Sequence, residues 1–213
     1  MKGVDSMSLN LKEEIANAIT HGLGTLLSIA GLVILILRTL GSGPLAMVSV
    51  VIFGASMIIL YLCSTLLHSL PFKKTKRLFT ILDHSAIYIL IAGTYTPFLL
   101  ISLQGALGWT LFGVVWAIAV SGIVFKSIFA DRFNVVSTIG YLIMGWIILF
   151  AIGPIFHSLA LWGFVLLVTG GILYSTGTIF YLWEKLPFNH AIWHMFVMAG
   201  SACMFFCILF FVS

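Results

Sequence analysis

The sequence predicts an all-α membrane protein built as a bundle of seven transmembrane helices. Of the 213 residues, 62% are hydrophobic and only 8% are charged, which is too few charges to cover the surface of a water-soluble domain of this size. Seven apolar stretches each approach the roughly 20 residues that a helix needs to cross a bilayer. They run approximately over 17–40, 44–70, 78–101, 106–125, 135–156, 159–182 and 190–212.

The chain before the first stretch is short and polar. Residues 1–13 include Lys2, Lys12 and Glu13, and they lack the short apolar core and the small-residue cleavage site of a secretory signal. We therefore expect this start to be retained. Because no shift in composition divides the rest of the chain, we expect a single membrane domain over residues 1–213.

Turn signals and basic residues separate the stretches in order. The first stretch ends at G-S-G-P over 41–44, and the second ends before the basic segment 73–77. Lys126 and Arg132 lie between the fourth and fifth stretches, and Lys185 lies between the sixth and seventh. The connections are short, so we expect consecutive helices to run antiparallel.

Basic residues also predict the orientation, because they control membrane insertion far more than acidic residues do. All ten Lys and Arg residues except Arg38 fall on one side of the predicted bundle. The N-terminus is therefore expected in the cytoplasm and the C-terminus outside. The net charge of +4 reflects this topology and contact with anionic lipids, and it gives no support for nucleic-acid binding.

Ionisable residues near the ends of the stretches mark a candidate site, because such groups are costly in hydrocarbon. His190 and His194 lie four residues apart, so on a helix they share one face and can bind one metal ion together. His68 closes the second stretch, and Asp83 opens the third. By the predicted topology all four lie at the cytoplasmic end, at similar depths.

These residue types suit a zinc centre. Three neutral imidazoles, from His68, His190 and His194, match the ligands that Zn²⁺ accepts, and a tetrahedral ion with three protein ligands keeps one position for a water. The metal lowers the pKa of that water, and Asp83 could orient it or accept its proton. Ser64, one turn before His68, could hydrogen-bond a ligand, the water or a substrate carbonyl.

Other interpretations of the same residues stay open. The two histidines of the last stretch could serve in helix–helix hydrogen bonds or at the membrane interface. Ser64 could bond back to its own helix backbone. Asp83 could pair with Arg77 or with a lysine of the same connection, which predicts no metal-dependent function. Imidazole ligands also accept other first-row metals.

Four separated motifs carry a family resemblance: E-I-A-N-A-I-T-H-G-L-G at 14–24, S-T-L-L-H at 64–68, L-D-H-S-A-I-Y at 82–88 and H-A-I-W-H at 190–194. Together they resemble the hemolysin III family of bacterial membrane proteins, which is related to the progestin and adiponectin receptors and to alkaline ceramidases. The resemblance covers essentially the whole chain. It implies a seven-helix bundle in the bacterial cell membrane, with zinc held by His68, His190 and His194, Asp83 beside the bound water and Ser64 close by.

Two features of the motifs remain to be interpreted. In those relatives the residue after the aspartate is often aromatic, whereas here it is His84, which we expect to point away from the site near the interface. Glu14, Asn17 and His21 are spaced by three and four residues, so they share a face of the first helix at the same end. They could contact substrate, support the zinc site, or cap and pack the helix start.

The function predicted is that of a zinc-dependent, hydrolase-like membrane protein. Metal-activated water would attack a lipid amide or ester in a pocket that opens to the cytoplasmic leaflet. One alternative is the cytolytic or pore-forming activity that the family name implies, although a chain of seven stable spans differs from a soluble toxin that inserts later. Another is a receptor or regulator of membrane state in which zinc is structural. The sequence leaves the oligomeric state open.

Overall fold

Helices account for nearly all of the structure, because a helix satisfies its own backbone hydrogen bonds, as a chain in hydrocarbon must. The computed structural model describes residues 2–70, 73–129 and 132–212, with side chains described for 11–70, 75–129 and 132–212. The α-helices are α1 (Lys2–Thr39), α2 (Pro44–Ser69), α3 (Lys73–Pro97), α4 (Gly105–Phe129), α5 (Asn134–Gly145), α6 (Ile152–Ser158), α7 (Leu161–Leu182) and α8 (Asn189–Phe211). A π-helix (Phe98–Leu103) follows α3, and a 3₁₀-helix (Ile147–Ala151) joins α5 to α6.

The prediction of seven spans is confirmed. In the described part of the chain, seven helical segments are long and apolar enough to cross a membrane. They cover Leu11–Thr39, Pro44–Ser69, Thr75–Leu103, Gly105–Phe129, Asn134–Ser158, Leu161–Leu182 and Asn189–Phe211. Each coincides with one predicted stretch, with boundaries that differ by a few residues.

The first helix begins earlier than the sequence predicts. α1 already includes Lys2 and continues without a break through the segment expected as a polar start, so the two form one helix. Lys, Leu, Met and Glu, which favour helix, make up half of residues 2–13. Met1 lies outside the described residues.

The fifth span is divided, although the sequence predicts one continuous stretch over 135–156. α5 ends at Gly145, and the 3₁₀-helix then leads into α6. The hydroxyl of Tyr95, on α3, accepts a hydrogen bond from the backbone amide of Ile148 at 2.9 Å and donates one to the carbonyl of Gly145 at 2.7 Å. These bonds satisfy backbone groups that the helix break would otherwise leave unpaired in the membrane interior.

The packing order brings the ends of four helices together. α2 packs between α1 and α3, while α8 packs between α7 and α1. Because consecutive spans run antiparallel, the C-terminal end of α2 lies at the same end of the bundle as the N-terminal ends of α3 and α8 and the N-terminal half of α1. The candidate site lies at this end of the bundle.

Close contact between α2 and α3 depends on Gly93. A Cβ atom at this position would lie only 2.7 Å from the Cβ atom of Ser56, so a larger residue would separate the helices. Small residues permit such close approach in membrane bundles. The contact fixes α3, which carries Asp83, against α2, which carries Ser64 and His68.

Candidate metal centre

Three histidines from two helices converge at this end of the bundle. His68 lies in the last turn of α2, and His190 and His194 lie in the first two turns of α8. One ring nitrogen of each lies within 4.8 Å of those of the other two. The ring centroids of His190 and His194 are 4.6 Å apart, and those of His68 and His190 are 4.9 Å apart. The three side chains are therefore close enough to bind one metal ion.

The Nε2 atoms of these rings have no protein partner. Within the described residues, Nε2 of His68, His190 and His194 is buried and makes no hydrogen bond. An unpaired buried polar atom costs about 1–3 kcal/mol, so three together are unusual for a purely structural core. Neutral imidazole nitrogens are ligands that Zn²⁺ accepts, and the residues present therefore fit a metal ion.

The Nδ1 atoms of two of the rings are bound by α1. Oε2 of Glu14 lies 2.6 Å from Nδ1 of His68, and Oγ1 of Thr20 lies 3.0 Å from Nδ1 of His194. The imidazole of His21 stacks on that of His194, with ring centroids 3.4 Å apart and planes inclined by 13°. α1 thus contacts histidines of both α2 and α8.

The polar face of α1, formed by Glu14, Asn17 and His21, lies against the histidine cluster and does not cap the helix start. Glu14 lies more than three turns inside a helix that begins at Lys2, so it does not cap the amides at the helix start. Asn17 and His21 are buried, and the face contacts the histidine cluster. Sequence reasoning assigned no role to Thr20. The available signal was its spacing, three residues after Asn17, which places it on the same side of the helix.

Asp83 and Ser64 lie at the same end of the bundle as the three histidines. Their exposed fractions are 1% and 0%. The Asp83 carboxylate lies against the Ser64 hydroxyl and interacts electrostatically with His68. Neither side chain makes a hydrogen bond of normal geometry to any other described residue. The carboxylate oxygens therefore keep their capacity to accept protons from a bound molecule.

The structural alternatives for these two residues are not observed where side chains are described. Ser64 does not bond back to its own helix, and no ion pair joins Asp83 to Arg77. The side chains of Lys73 and Lys74, which the same alternative invoked, lie outside the described residues.

His84 is buried, with 8% of its surface exposed. Its backbone carbonyl accepts a hydrogen bond from the Tyr141 hydroxyl at 2.9 Å. The converging ligand atoms found among the described residues belong to His68, His190 and His194 and not to His84. Its burial differs from the position near the interface that we expected, because α5 packs against this part of α3.

An apolar cavity adjoins the histidine cluster. It encloses about 150 Å³ between α3, the divided fifth span, α7 and α8. Tyr181 and Trp193 line it, and their rings lie 5.8 and 4.9 Å from that of His190. On α3 the lining extends from Ile87 to Tyr95, about 12 Å along the helix at 1.5 Å per residue. Such a lining favours an apolar occupant.

Comparison with known proteins covers almost the whole chain. A family model described as haemolysin-III related matches residues 9–205, a range that includes all four motifs and the residues of the cluster. The chain is 60% identical over 207 residues to Hemolysin-3 of Bacillus cereus, covering 97% of this chain and 94% of that protein.

Two further relatives show how far the similarity extends. The Hemolysin-3 homolog of Bacillus subtilis (strain 168) is 60% identical over 202 residues, covering 94% of this chain and 95% of that protein. The Monocyte to macrophage differentiation factor of Homo sapiens is 27% identical over 202 residues, covering 92% of this chain and 83% of that protein.

Proposed function

This chain belongs to the haemolysin-III-related family of multi-pass membrane proteins, and on that premise we propose that it is a zinc-dependent hydrolase of a lipid amide or ester. His68, His190 and His194 would hold the ion, while Asp83 and Ser64 would act on the water and the substrate. We also propose that the chain forms a single membrane domain. Its proposed location is the bacterial cell membrane, since two relatives of 60% identity come from Bacillus.

The observation that carries the proposal is a buried carboxylate at the same end of the bundle as three convergent imidazoles. Structural zinc sites in proteins usually have four protein ligands, whereas catalytic sites have three and keep one position for water or substrate. The histidine group supplies three ligand atoms. Asp83, which interacts electrostatically with His68, would then be available for proton transfer rather than for charge balance alone.

Each residue has a chemical task in this reaction. A bound zinc ion would supply Lewis-acid activation of a water molecule. The water oxygen would bond to the acyl carbon of the substrate, and Asp83 would accept the proton that the water loses. The C–N or C–O bond then breaks, and Asp83 returns the proton to the leaving amine or alcohol. Ser64, which lies against Asp83, would orient the carboxylate or donate a hydrogen bond to the substrate carbonyl.

The apolar cavity supports a lipid as the substrate. Its lining is aliphatic and aromatic along most of its length, which favours burial of an acyl chain by the hydrophobic effect. Because Tyr181 and Trp193 line the cavity and also contact His190, an acyl chain held there would place its carbonyl end near the histidine cluster.

The experiment compares zinc content and turnover in the purified full chain. The probes are a p-nitrophenyl acyl ester and an N-acyl p-nitroanilide, so that ester and amide hydrolysis are measured separately. We expect about one zinc per chain, lost in the His190→Ala/His194→Ala double variant. Asp83→Asn should keep the zinc and lose roughly 10²-fold or more in turnover, which is typical of removing a general base.

The matched control removes a carboxylate outside the cluster. Glu184 is exposed in the connection before α8, so Glu184→Gln should leave zinc content and turnover unchanged. Retention of zinc by the double histidine variant would refute the ligand assignment. Turnover by Asp83→Asn at the wild-type rate would refute the role of Asp83. A zinc-loaded wild-type chain that hydrolyses neither probe would favour a receptor or regulator with a structural ion.

A second candidate function is membrane lysis, which the name Hemolysin-3 of a 60% identical relative favours. Sealed liposomes that contain the purified chain should then leak a trapped dye or ions, with no effect of a zinc chelator. Liposomes that remain sealed would rule out this function for the isolated protein.

A further inference from the structure

We propose that Glu14 and Thr20 of α1 are positioning residues for the metal site, each holding one ligand histidine in the tautomer that leaves Nε2 free for the ion. This inference rests on the proposed zinc site. It assigns a direct role in metal affinity to α1, a helix that supplies none of the three ligand histidines.

The contact between Glu14 and His68 determines a tautomer. A carboxylate offers only acceptors, so at 2.6 Å from Oε2 of Glu14 the Nδ1 atom of His68 carries the hydrogen. The neutral ring then has its lone pair on Nε2. That Nε2 atom is the one that is buried without a partner among the described residues. Glu14 therefore directs the metal-binding nitrogen of His68 into the cluster.

Glu14 of α1 is itself held by side chains of two other helices, α2 and α3. While Oε2 binds His68 of α2, Oε1 accepts a hydrogen bond from Nζ of Lys76, on α3, at 3.1 Å. The side chain of Glu14 is 29% exposed and that of Lys76 is 54% exposed, whereas that of His68 is 10% exposed. The carboxylate thus lies between the aqueous end of the bundle and the cluster, anchored on both sides.

The contact between Thr20 and His194 determines the second tautomer. The Thr20 hydroxyl has one hydrogen, and the carbonyl oxygens of Ala16 and Asn17, both 2.9 Å away, accept it. Its oxygen is left to accept the Nδ1 hydrogen of His194 at 3.0 Å. Nε2 of His194, which is fully buried, is again the unpaired nitrogen.

Two independent side chains of one helix therefore perform the same task. A partner on the second nitrogen of a ligand histidine fixes the ring orientation and raises its basicity, and losing it typically weakens metal binding about 10–100-fold. His21 adds a third constraint by stacking on the plane of His194. We infer that removal of Glu14 or Thr20 leaves all three ligands present but lowers the affinity for zinc.

The test measures the zinc dissociation constant of the purified full chain in detergent, by competition with a chromogenic chelator. Glu14→Ala and Thr20→Val should each weaken binding about 10–100-fold. Glu14→Gln and Thr20→Ser retain an oxygen that can accept the Nδ1 hydrogen, so they should restore most of the affinity. The visible absorption of the Co²⁺-loaded chain should change in Glu14→Ala and recover in Glu14→Gln.

Control variants make the same chemical changes away from the cluster. Thr25 lies five residues further along α1, and its hydroxyl donates to the carbonyl oxygen of His21, so Thr25→Val should bind zinc like wild type. Glu184→Ala removes an exposed carboxylate and should also bind normally. Circular dichroism of each variant establishes that its helices are intact before affinities are compared.

The outcomes separate this inference from the proposed function. If His190→Ala does not reduce zinc binding, the metal site and the positioning role both fail. If His190→Ala loses zinc while Glu14→Ala and Thr20→Val bind it with wild-type affinity, only the positioning role is overturned. Weaker binding that Glu14→Gln and Thr20→Ser do not relieve would overturn it too, because the acceptor atoms would then be irrelevant.

Discussion

The hydroxyl of Tyr95 accepts a hydrogen bond from the backbone amide of Ile148 at 2.9 Å, at the point where the fifth span stops being an α-helix. The same hydroxyl donates to the carbonyl of Gly145 at 2.7 Å. A side chain of α3 thus replaces backbone bonds that the fifth span does not make itself. Gly145 and Ile148 also line the apolar cavity, so this bridge determines the shape of one cavity wall.

Tyr95→Phe should destabilise the protein by about 1–3 kcal/mol, because it leaves the buried amide of Ile148 and the carbonyl of Gly145 without this partner while keeping the ring. Chemical denaturation in detergent micelles, followed by circular dichroism, measures the change. Ser121→Ala removes a hydroxyl that is exposed on α4 and bonds only to the carbonyl of Ala117 in the described structure, so it should change stability little. Equal stability of Tyr95→Phe and wild type would contradict the bridging role.

Gly93→Ala should disrupt the contact between α2 and α3. The added methyl group would overlap Ser56, and overpacking of this kind costs about 1–3 kcal/mol. We expect a lower thermal midpoint and slower turnover, since the shift would separate Asp83 from His68. Gly113→Ala is the matched control, because a Cβ atom there would meet no described atom within 4 Å. A normal thermal midpoint for Gly93→Ala would show that the helices can separate at little cost.

Removal of zinc should destabilise the wild-type protein. A ligand that binds only the folded state adds about 2.7 kcal/mol at a free concentration 100 times its dissociation constant. A chelator should therefore lower the thermal midpoint of the wild type and leave that of His68→Ala unchanged. A chelator effect of equal size in both proteins would mean that zinc acts elsewhere.

Val168→Phe should narrow the apolar cavity. Val168 lines the cavity on α7, whereas Val165, one turn earlier, is 40% exposed on the outer surface. Mass spectrometry of co-purified lipid should show severalfold less bound lipid for Val168→Phe and normal amounts for Val165→Phe. Zinc content should be the same in both variants, because neither residue belongs to the proposed ligand set. Undiminished lipid in Val168→Phe would place the lipid outside this cavity.

The predicted orientation has its own test. Alkaline phosphatase, which folds only after export, should be active when fused to the C-terminus and inactive when fused in the connection near Lys185. The physical reason is the concentration of Lys and Arg on the side of that connection. The reverse pattern of activity would invert the bundle and place the histidine cluster at the outer face of the membrane.

Part of the site could be predicted from the sequence because it depends on local spacing. His190 and His194 share a face by helix periodicity, and the alternation of spans brings His68 and Asp83 to the same end as that pair. Thr20 could not be assigned in this way. Its role depends on the rotation of α1 about its axis and on its contact with α8, neither of which a single stretch of sequence specifies.

By itself, the sequence determined seven membrane spans, their order and the end at which the ionisable residues gather. The length and hydropathy of an apolar stretch and the charges beside it are local properties, and they determine directly whether and in which direction that stretch spans the bilayer. Only the tertiary structure decided that Glu14 and Thr20 meet His68 and His194, that Tyr95 bridges the divided fifth span, and that a cavity adjoins the cluster. These relationships depend on which helices pack together and at what rotation, since that packing sets which side chains face one another across the bundle.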